Sequence, residues 1–275
     1  MFGDILVPLD GSTSAEQALQ IAVPLCRYLD SRLVVVAYAD IKHLSETHSS
    51  VLLALANAGV DDLDTDVTVE TASKSVAGMI TDRLQSVPGT LLCMSTHGHG
   101  RSQLFTGSVA NTVLQETSSP VLLIGPHCEP MQFEIGGPVI VAVDGSEHSE
   151  AIVPVATAWA IVSQSPVEIV SVIDTKALMA VSASHGDLNE AAYVQRIAAA
   201  VDLDVSTKVG FETLHGSHPA KSIVDHVGFH TASVIAMATH GATGLARVTA
   251  GSVTAEVIRS SHVPVLVIRP PQLDN

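Results

Sequence analysis

Two stretches of this chain nearly repeat each other. Residues 94–125 read MSTHGHGRSQLFTGSVANTVLQETSSPVLLIG, and residues 237–268 read MATHGATGLARVTAGSVTAEVIRSSHVPVLVI. Each has a Thr-His-Gly, then Gly-Ser-Val, then Pro-Val-Leu. The openings match as well, ILVPLDGSTSAEQAL at 5–19 against VIVAVDGSEHSEAIV at 139–153. The duplicated unit, about 140 residues, is far longer than a solenoid repeat and has the size of a whole domain. The chain is therefore expected to form two domains of one design, over 1–126 and 138–275, joined by a linker at 127–137. Pro126 precedes that linker and Pro130, Gly136 and Gly137 punctuate it, and it has no clear period.

Within each copy, apolar runs alternate with amphipathic stretches. In the first, strands are expected at Ile5–Leu9, Leu33–Ala39, Val67–Thr71, Thr90–Thr96 and Pro120–Ile124. Helices are expected at Ser14–Leu29, Val51–Ala58, Ser75–Leu84 and Ser108–Thr117. The second copy repeats the scheme, with strands near Val139–Val143, Val167–Ile173, Asp204–Phe211, Val234–Thr239 and Val263–Ile268. Its helices are expected near Glu147–Val162, Leu188–Ala200, Pro219–Phe229 and Ser252–Arg259. Alternation of this kind predicts an α/β fold: two tandem, mainly parallel five-stranded sheets with helices on both faces, of the Rossmann-like, nucleotide-binding type. Ligands of such sheets bind beyond the carboxyl ends of the strands, where Asp10 and the turn at Gly98 both fall.

Composition removes several classes of partner. The net charge of −15, from 13 Lys+Arg against 28 Asp+Glu, leaves no basic stripe for nucleic acid. No apolar run approaches the roughly 18 residues of a membrane-spanning helix. MFGDILVPLD lacks the basic start of a signal peptide. Cys26, Cys93 and Cys128 have no paired spacing and read as small apolar fillers in a reducing, cytoplasmic setting.

The Gly-Ser turns carry the chemistry. In the second copy Gly241 and Gly251-Ser252 lie between a strand and a helix, and in the first Gly98 and Gly107-Ser108 do. A helix start offers unpaired N–H groups and the positive end of the dipole, which together suit phosphate. The alternative at Ser252 is a plain helix N-cap. With no G-x-x-x-x-G-K-[ST] and no lysine in either turn, phosphate would be held by backbone N–H and hydroxyl groups, which suits binding better than fast phosphoryl transfer. Asp10 and Asp144 close the first strand of each copy. Each can accept hydrogen bonds from a ribose hydroxyl or an adenine amine, or can serve only the Asp-Gly-Ser turn. His97 and His99 flank Gly98, and His215 and His218 flank Gly216, but no third ligand accompanies them, so no metal site is expected. No Ser-His-Asp set can be placed, so no catalytic residue is assigned.

These motifs together resemble a tandem universal stress protein, over nearly the whole chain and twice. That family has an adenine-nucleotide-binding α/β fold with the signature G-x2-G-x9-G-[ST] after its fourth strand. The resemblance implies that Asp10 and Asp144 meet adenine or ribose. It places the phosphate loop on Gly98, Gly107 and Ser108 and on Gly241, Gly251 and Ser252, and adenine against the backbone near Tyr38 and Val172. It further implies ATP, with or without Mg, as ligand and an intrachain pairing of the copies through their last strands, with or without a further homodimer. The first signature glycine is Ser95 in one copy and Ala238 in the other, and the first copy has one residue fewer between Gly98 and Gly107. The second copy is therefore the better expected site. An ATP-binding regulatory protein is the leading expectation. A slow ATPase or nucleotide-dependent enzyme, and an interaction scaffold with degenerate sites, stand beside it.

Overall fold

A computed structural model of the chain describes residues 2–96, 107–174, 186–230, 232–239 and 251–270. In the first half the order is β1 (Asp4–Leu9), α1 (Thr13–Leu29), β2 (Arg32–Ala39), α2 (Leu44–Ala58), β3 (Thr65–Thr71), α3 (Val76–Ser86), β4 (Thr90–Ser95), α4 (Ser108–Glu116) and β5 (Val121–Ile124). After a short 3-10 turn at Pro130–Gln132 come β6 (Val139–Ala142), α5 (Glu147–Glu150), α6 (Val153–Ser163), β7 (Val167–Asp174) and α7 (Gly186–Asp202). The half is completed by β8 (Val209–Gly216), α8 (Pro219–His230), β9 (Val234–Ala238), α9 (Ser252–Ser260) and β10 (Val265–Ile268).

The strands form one ten-stranded sheet in the order β3-β2-β1-β4-β5-β10-β9-β6-β7-β8. Among the described pairings β5 and β10 run antiparallel, with Leu122 opposite Leu266, and the others are parallel. The α/β class and the mainly parallel sheet are as the alternation predicts. Both faces are covered, which is why β2 is apolar without a break from Leu33 to Ala37. α1, α2, α6 and α7 pack on one face, and α3, α4, α8 and α9 on the other. Each core layer continues across the β5–β10 seam, Leu122 and Leu266 on one side and Leu123 and Val265 on the other.

Local chemistry sets the helix ends. Ser12, Ser75 and Ser146 cap α1, α3 and α5, each accepting a backbone N–H from three residues on. Asp30 and Gln164 are repeat equivalents, and both end their helices in the left-handed region, at φ 53° and 54°. Buried Cys26, Cys93 and Cys128 are free, and burial pushes the Cys26 and Cys128 thiols up to about 12. No described helix is long and apolar enough to cross a membrane.

Three expected elements differ. The helix expected at Val51–Ala58 starts at Leu44, because a polar first turn and a half is carried by only three buried residues, Val51, Ala54 and Leu55. The helix expected over 147–162 is broken into α5 and α6: Pro154 cannot donate to Glu150, and the Ser149 hydroxyl takes the Ser146 carbonyl at 2.8 Å. The strand expected at Asp204–Phe211 runs instead from Val209 to Gly216. Val205 is spent as a buried loop anchor below α7, its N–H bonded to Val201, and β8 follows β7 residue by residue to the pair Asp174–Gly216.

Gly228 sits exposed in α8, where an added Cβ would meet nothing within 4 Å. Gly228→Ala is expected to stabilise the protein by about 0.4–1 kcal/mol, because it reduces the freedom of the unfolded chain without strain in the folded one. Urea denaturation checks this, and a lower midpoint would contradict it.

Candidate nucleotide-binding cleft

In the second half the carboxyl ends of β6, β7 and β9 meet the start of α9 around a cleft of about 240 Å³. Its floor is apolar, built from Ala142, Val172, Ile223 and Met237. Asp144 and Ser149 line it from the segment after β6, and Ala238, Gly251, Ser252 and Thr254 from the end of β9 and the start of α9. Topology makes this convergence, since β6 lies between β7 and β9 in the sheet and the ends of its neighbours open toward the same side. Asp144, Val172, Gly251 and Ser252 are therefore brought together as the sequence implies, while Gly241 lies outside the described residues. Sequence reasoning missed Ser149, Ile223, Met237 and Thr254. Thr254 had a visible signal, two residues beyond the Gly-Ser pair.

The Asp144 turn is tightly built. Oδ1 of Asp144 accepts the Ser146 N–H at 3.1 Å and its hydroxyl at 2.6 Å, and the Asp144 N–H donates to Ser149 Oγ at 3.1 Å. Asp10 repeats the pattern, its Oδ1 taking the Ser12 N–H at 2.9 Å and hydroxyl at 2.6 Å. Gly11 and Gly145, at φ +79° and +83°, supply the left-handed residue each turn needs. Both aspartates are exposed at the strand ends. Their turn role is thus plain, and it occupies one carboxylate oxygen. Tyr193, on α7, buries its hydroxyl with no hydrogen-bond partner among the described residues. Burial first, then Glu150, pushes its pKa to about 12.

The start of α9 corrects two expectations. The residue at the cap is Gly251, not Ser252, and no side chain caps the helix. Its backbone is at φ −52°, so a left-handed turn is not what calls for glycine here. The Gly251 N–H is also not turned to the cleft, because it donates to the Thr239 carbonyl at 2.5 Å. Gly107 does the same to Thr96 at 2.7 Å, with φ −49°. At Gly107 a Cβ would lie 2.6 Å from that carbonyl oxygen, so glycine is required for clearance. The helix donors left without an intrahelical partner are those of Ser252, Val253 and Thr254, with their equivalents from Ser108 onward. The shorter loop of the first half leaves this anchor unchanged, since both helices start at the same geometry on the same threonine.

In the first half, Asp10 ends β1, Tyr38 is half-buried in β2, and Gly107 and Ser108 open α4. Burial first, then Glu70, raises the Tyr38 phenol above its usual range. Gly98, His97, His99 and His240 lie outside the described residues. His215 is exposed in β8, and His218 contacts the Ser217 hydroxyl at 3.0 Å through Nδ1. Neither belongs to a described cluster of metal-type ligands. The described lining of the second-half cleft includes no lysine or arginine.

A model of the universal stress protein family matches the chain twice, over residues 1–125 and 137–269. A universal stress protein of Methanocaldococcus jannaschii is 43% identical over 65 residues, a stretch covering 24% of this chain and 38% of that relative. A universal stress protein structure from Archaeoglobus fulgidus aligns over 98% of this chain and 99% of its own, at 19% identity and a TM-score of 0.71. One from Pseudomonas aeruginosa aligns over 98% and 94%, at 15% identity and a TM-score of 0.63. At such identities the structural likeness speaks for the fold.

Proposed function

Because this chain belongs to the universal stress protein family, we propose that it is an adenine-nucleotide-binding protein with a stress-response or regulatory role, taking ATP in the cleft of its second half. The observation that carries this reading is the meeting of Asp144, Val172, Gly251 and Ser252 around one partly apolar cavity. Small-molecule sites commonly measure roughly 300–1,000 Å³. A cleft of about 240 Å³ suits the nucleoside better than a whole triphosphate. The adenine lies on Val172, Ile223 and Met237, and Asp144 accepts from ribose or the adenine amine. The phosphates lie outside the cavity, over the N–H groups of Ser252, Val253 and Thr254 and the Ser252 hydroxyl, the Thr254 hydroxyl being given to the Ala238 carbonyl at 2.9 Å. Anion binding at such a helix start contributes about 0.3–1 kcal/mol when exposed and up to about 2 when partly buried.

This arrangement favours holding a nucleotide over turning it over. Phosphoryl transfer recruits cations to the developing charge and a group that orients the nucleophile, and the described lining offers no cationic side chain. The continuous sheet through β5 and β10 supports a built-in pairing of two family domains within one chain, in a cytoplasmic protein.

Titration of the full-length protein with ATP, followed by competition with tripolyphosphate, tests the reading. ATP should bind and tripolyphosphate should displace it poorly, because much of the affinity lies in the nucleoside. Equal competition would leave only an anion site, and absence of ATP binding would leave the scaffold reading.

A further inference from the structure

At the other end of β7, about 13 Å along the strand from Val172, two carboxylates and an imidazole converge. Glu168 of β7 and Glu212 of β8 project from the sheet face that α8 covers, Glu168 opposite Gly210 and Glu212 opposite Val170. His226 of α8 is 7% exposed, and its Nε2 lies 3.1 Å from Glu168 Oε2. One ligand atom from each of Glu168, Glu212 and His226 lies within 4.8 Å of the other two. Glu168 is half-buried and Glu212 exposed, so the group is closed on the α8 side and open to solvent on the other.

The internal duplication shows what this spot holds otherwise. By strand register, Val34, Asp66 and Thr68 in the first half stand where Glu168, Gly210 and Glu212 stand in the second. The helix segments ITDRL at 80–84 and IVDHV at 223–227 align Arg83 with His226. There, Arg83 pairs with Asp66 at 2.9 Å, so a permanent cation meets one carboxylate. In the second half the guanidinium has become an imidazole and the carboxylates have become two. Among the described residues Glu168 has His226 as its ion-pair partner and Glu212 has none. Two carboxylates this close repel each other unless a positive charge lies between them.

We propose that Glu168, Glu212 and His226 form a divalent transition-metal site of the zinc class, whose equivalent positions in the first half, Val34, Thr68 and Arg83, lack these ligands. One nitrogen and two oxygen donors match zinc, which takes three protein ligands and leaves a fourth position for water. Magnesium and calcium select all-oxygen sites, which the imidazole disfavours. Bonds of about 2.0–2.1 Å in a tetrahedron put ligand atoms about 3.4 Å apart. His226 and Glu168 are already near that spacing, and the exposed Glu212 side chain can rotate in to complete it. Ligation would tie the edge strand β8 to β7 and α8.

The test uses the full chain, stripped with chelator and titrated with zinc ion alone by calorimetry, with bound metal counted by elemental analysis. One zinc per chain and a raised thermal midpoint are expected. Glu212→Gln should weaken zinc binding by at least about tenfold, the scale lost even when outer-shell partners are removed. It should melt like wild type in chelator, since the residue is exposed. His226→Asn should also abolish the bound equivalent. A His215→Asn/His218→Asn double variant should retain it. Failure of the wild type to bind zinc, unchanged affinity in Glu212→Gln, or loss of binding in the His215/His218 variant would each overturn the assignment.

Discussion

Asp144→Asn is expected to weaken ATP binding by roughly ten- to a hundredfold while leaving the thermal midpoint near that of wild type. The asparagine side chain keeps an oxygen where Oδ1 now accepts the Ser146 N–H and hydroxyl, and Asn serves such turns as well as Asp. The change removes the negative charge proposed to accept from ribose or adenine. A hydrogen bond to a charged group is worth about 1.5–3 kcal/mol, and each 1.4 kcal/mol is about tenfold in affinity. Asp144→Ala is the less discriminating variant, because it also deletes the turn acceptor. Asp10→Asn serves as internal comparison, with a smaller loss expected if the second half is the main site. Unchanged ATP affinity in Asp144→Asn would reduce the aspartate to its turn role, and equal losses in the two variants would make the halves equivalent.

What was legible in the chain was what depends on local chemistry repeated twice. Asp-Gly-Ser announced a turn at the end of a strand, and the structure gives it the left-handed glycine such a turn requires. Continuous β-branched runs such as Leu33–Ala37 announced strands covered on both faces. The convergence of Asp144, Val172 and Gly251 followed from parallel topology, because strand ends on one side of such a sheet are neighbours. The use of particular backbone groups was not legible. Gly107 and Gly251 looked like residues that turn their N–H groups to a phosphate. They bond to Thr96 and Thr239 instead, and Gly107 is glycine because a Cβ would strike a carbonyl. The glutamate-histidine cluster was invisible for a different reason. Its members come from three elements that meet only when α8 packs across β7 and β8, and no spacing rule links Glu168, Glu212 and His226.

Gly125→Ala should be the most damaging single methyl group in the described part of the molecule. Gly125 follows β5, and a Cβ built on it would stand 1.9 Å from the Ile258 carbonyl oxygen and 3.1 Å from its carbon. Both atoms belong to the backbone of α9, and Ile258 is itself fully buried, so no flexible side chain can step aside. Either β5 shifts along its antiparallel pairing with β10 or α9 moves away from the sheet by more than an ångström. Overpacking of a tight core costs about 1–3 kcal/mol and sometimes more. A rigid backbone obstacle belongs at the upper end, about 3 kcal/mol. For a chain of this size that lowers the thermal midpoint by about 6–12 °C. ATP affinity should fall as well, because α9 is only nine residues long and its other end carries Gly251 and Ser252 at the proposed phosphate position. Gly3→Ala is the control, as nothing lies within 4 Å of its added Cβ, and it should change neither property. A Gly125→Ala protein that melts with wild type would mean that β5 and α9 do not pack as described. Loss of stability with ATP affinity intact would keep the seam and uncouple the cleft from it.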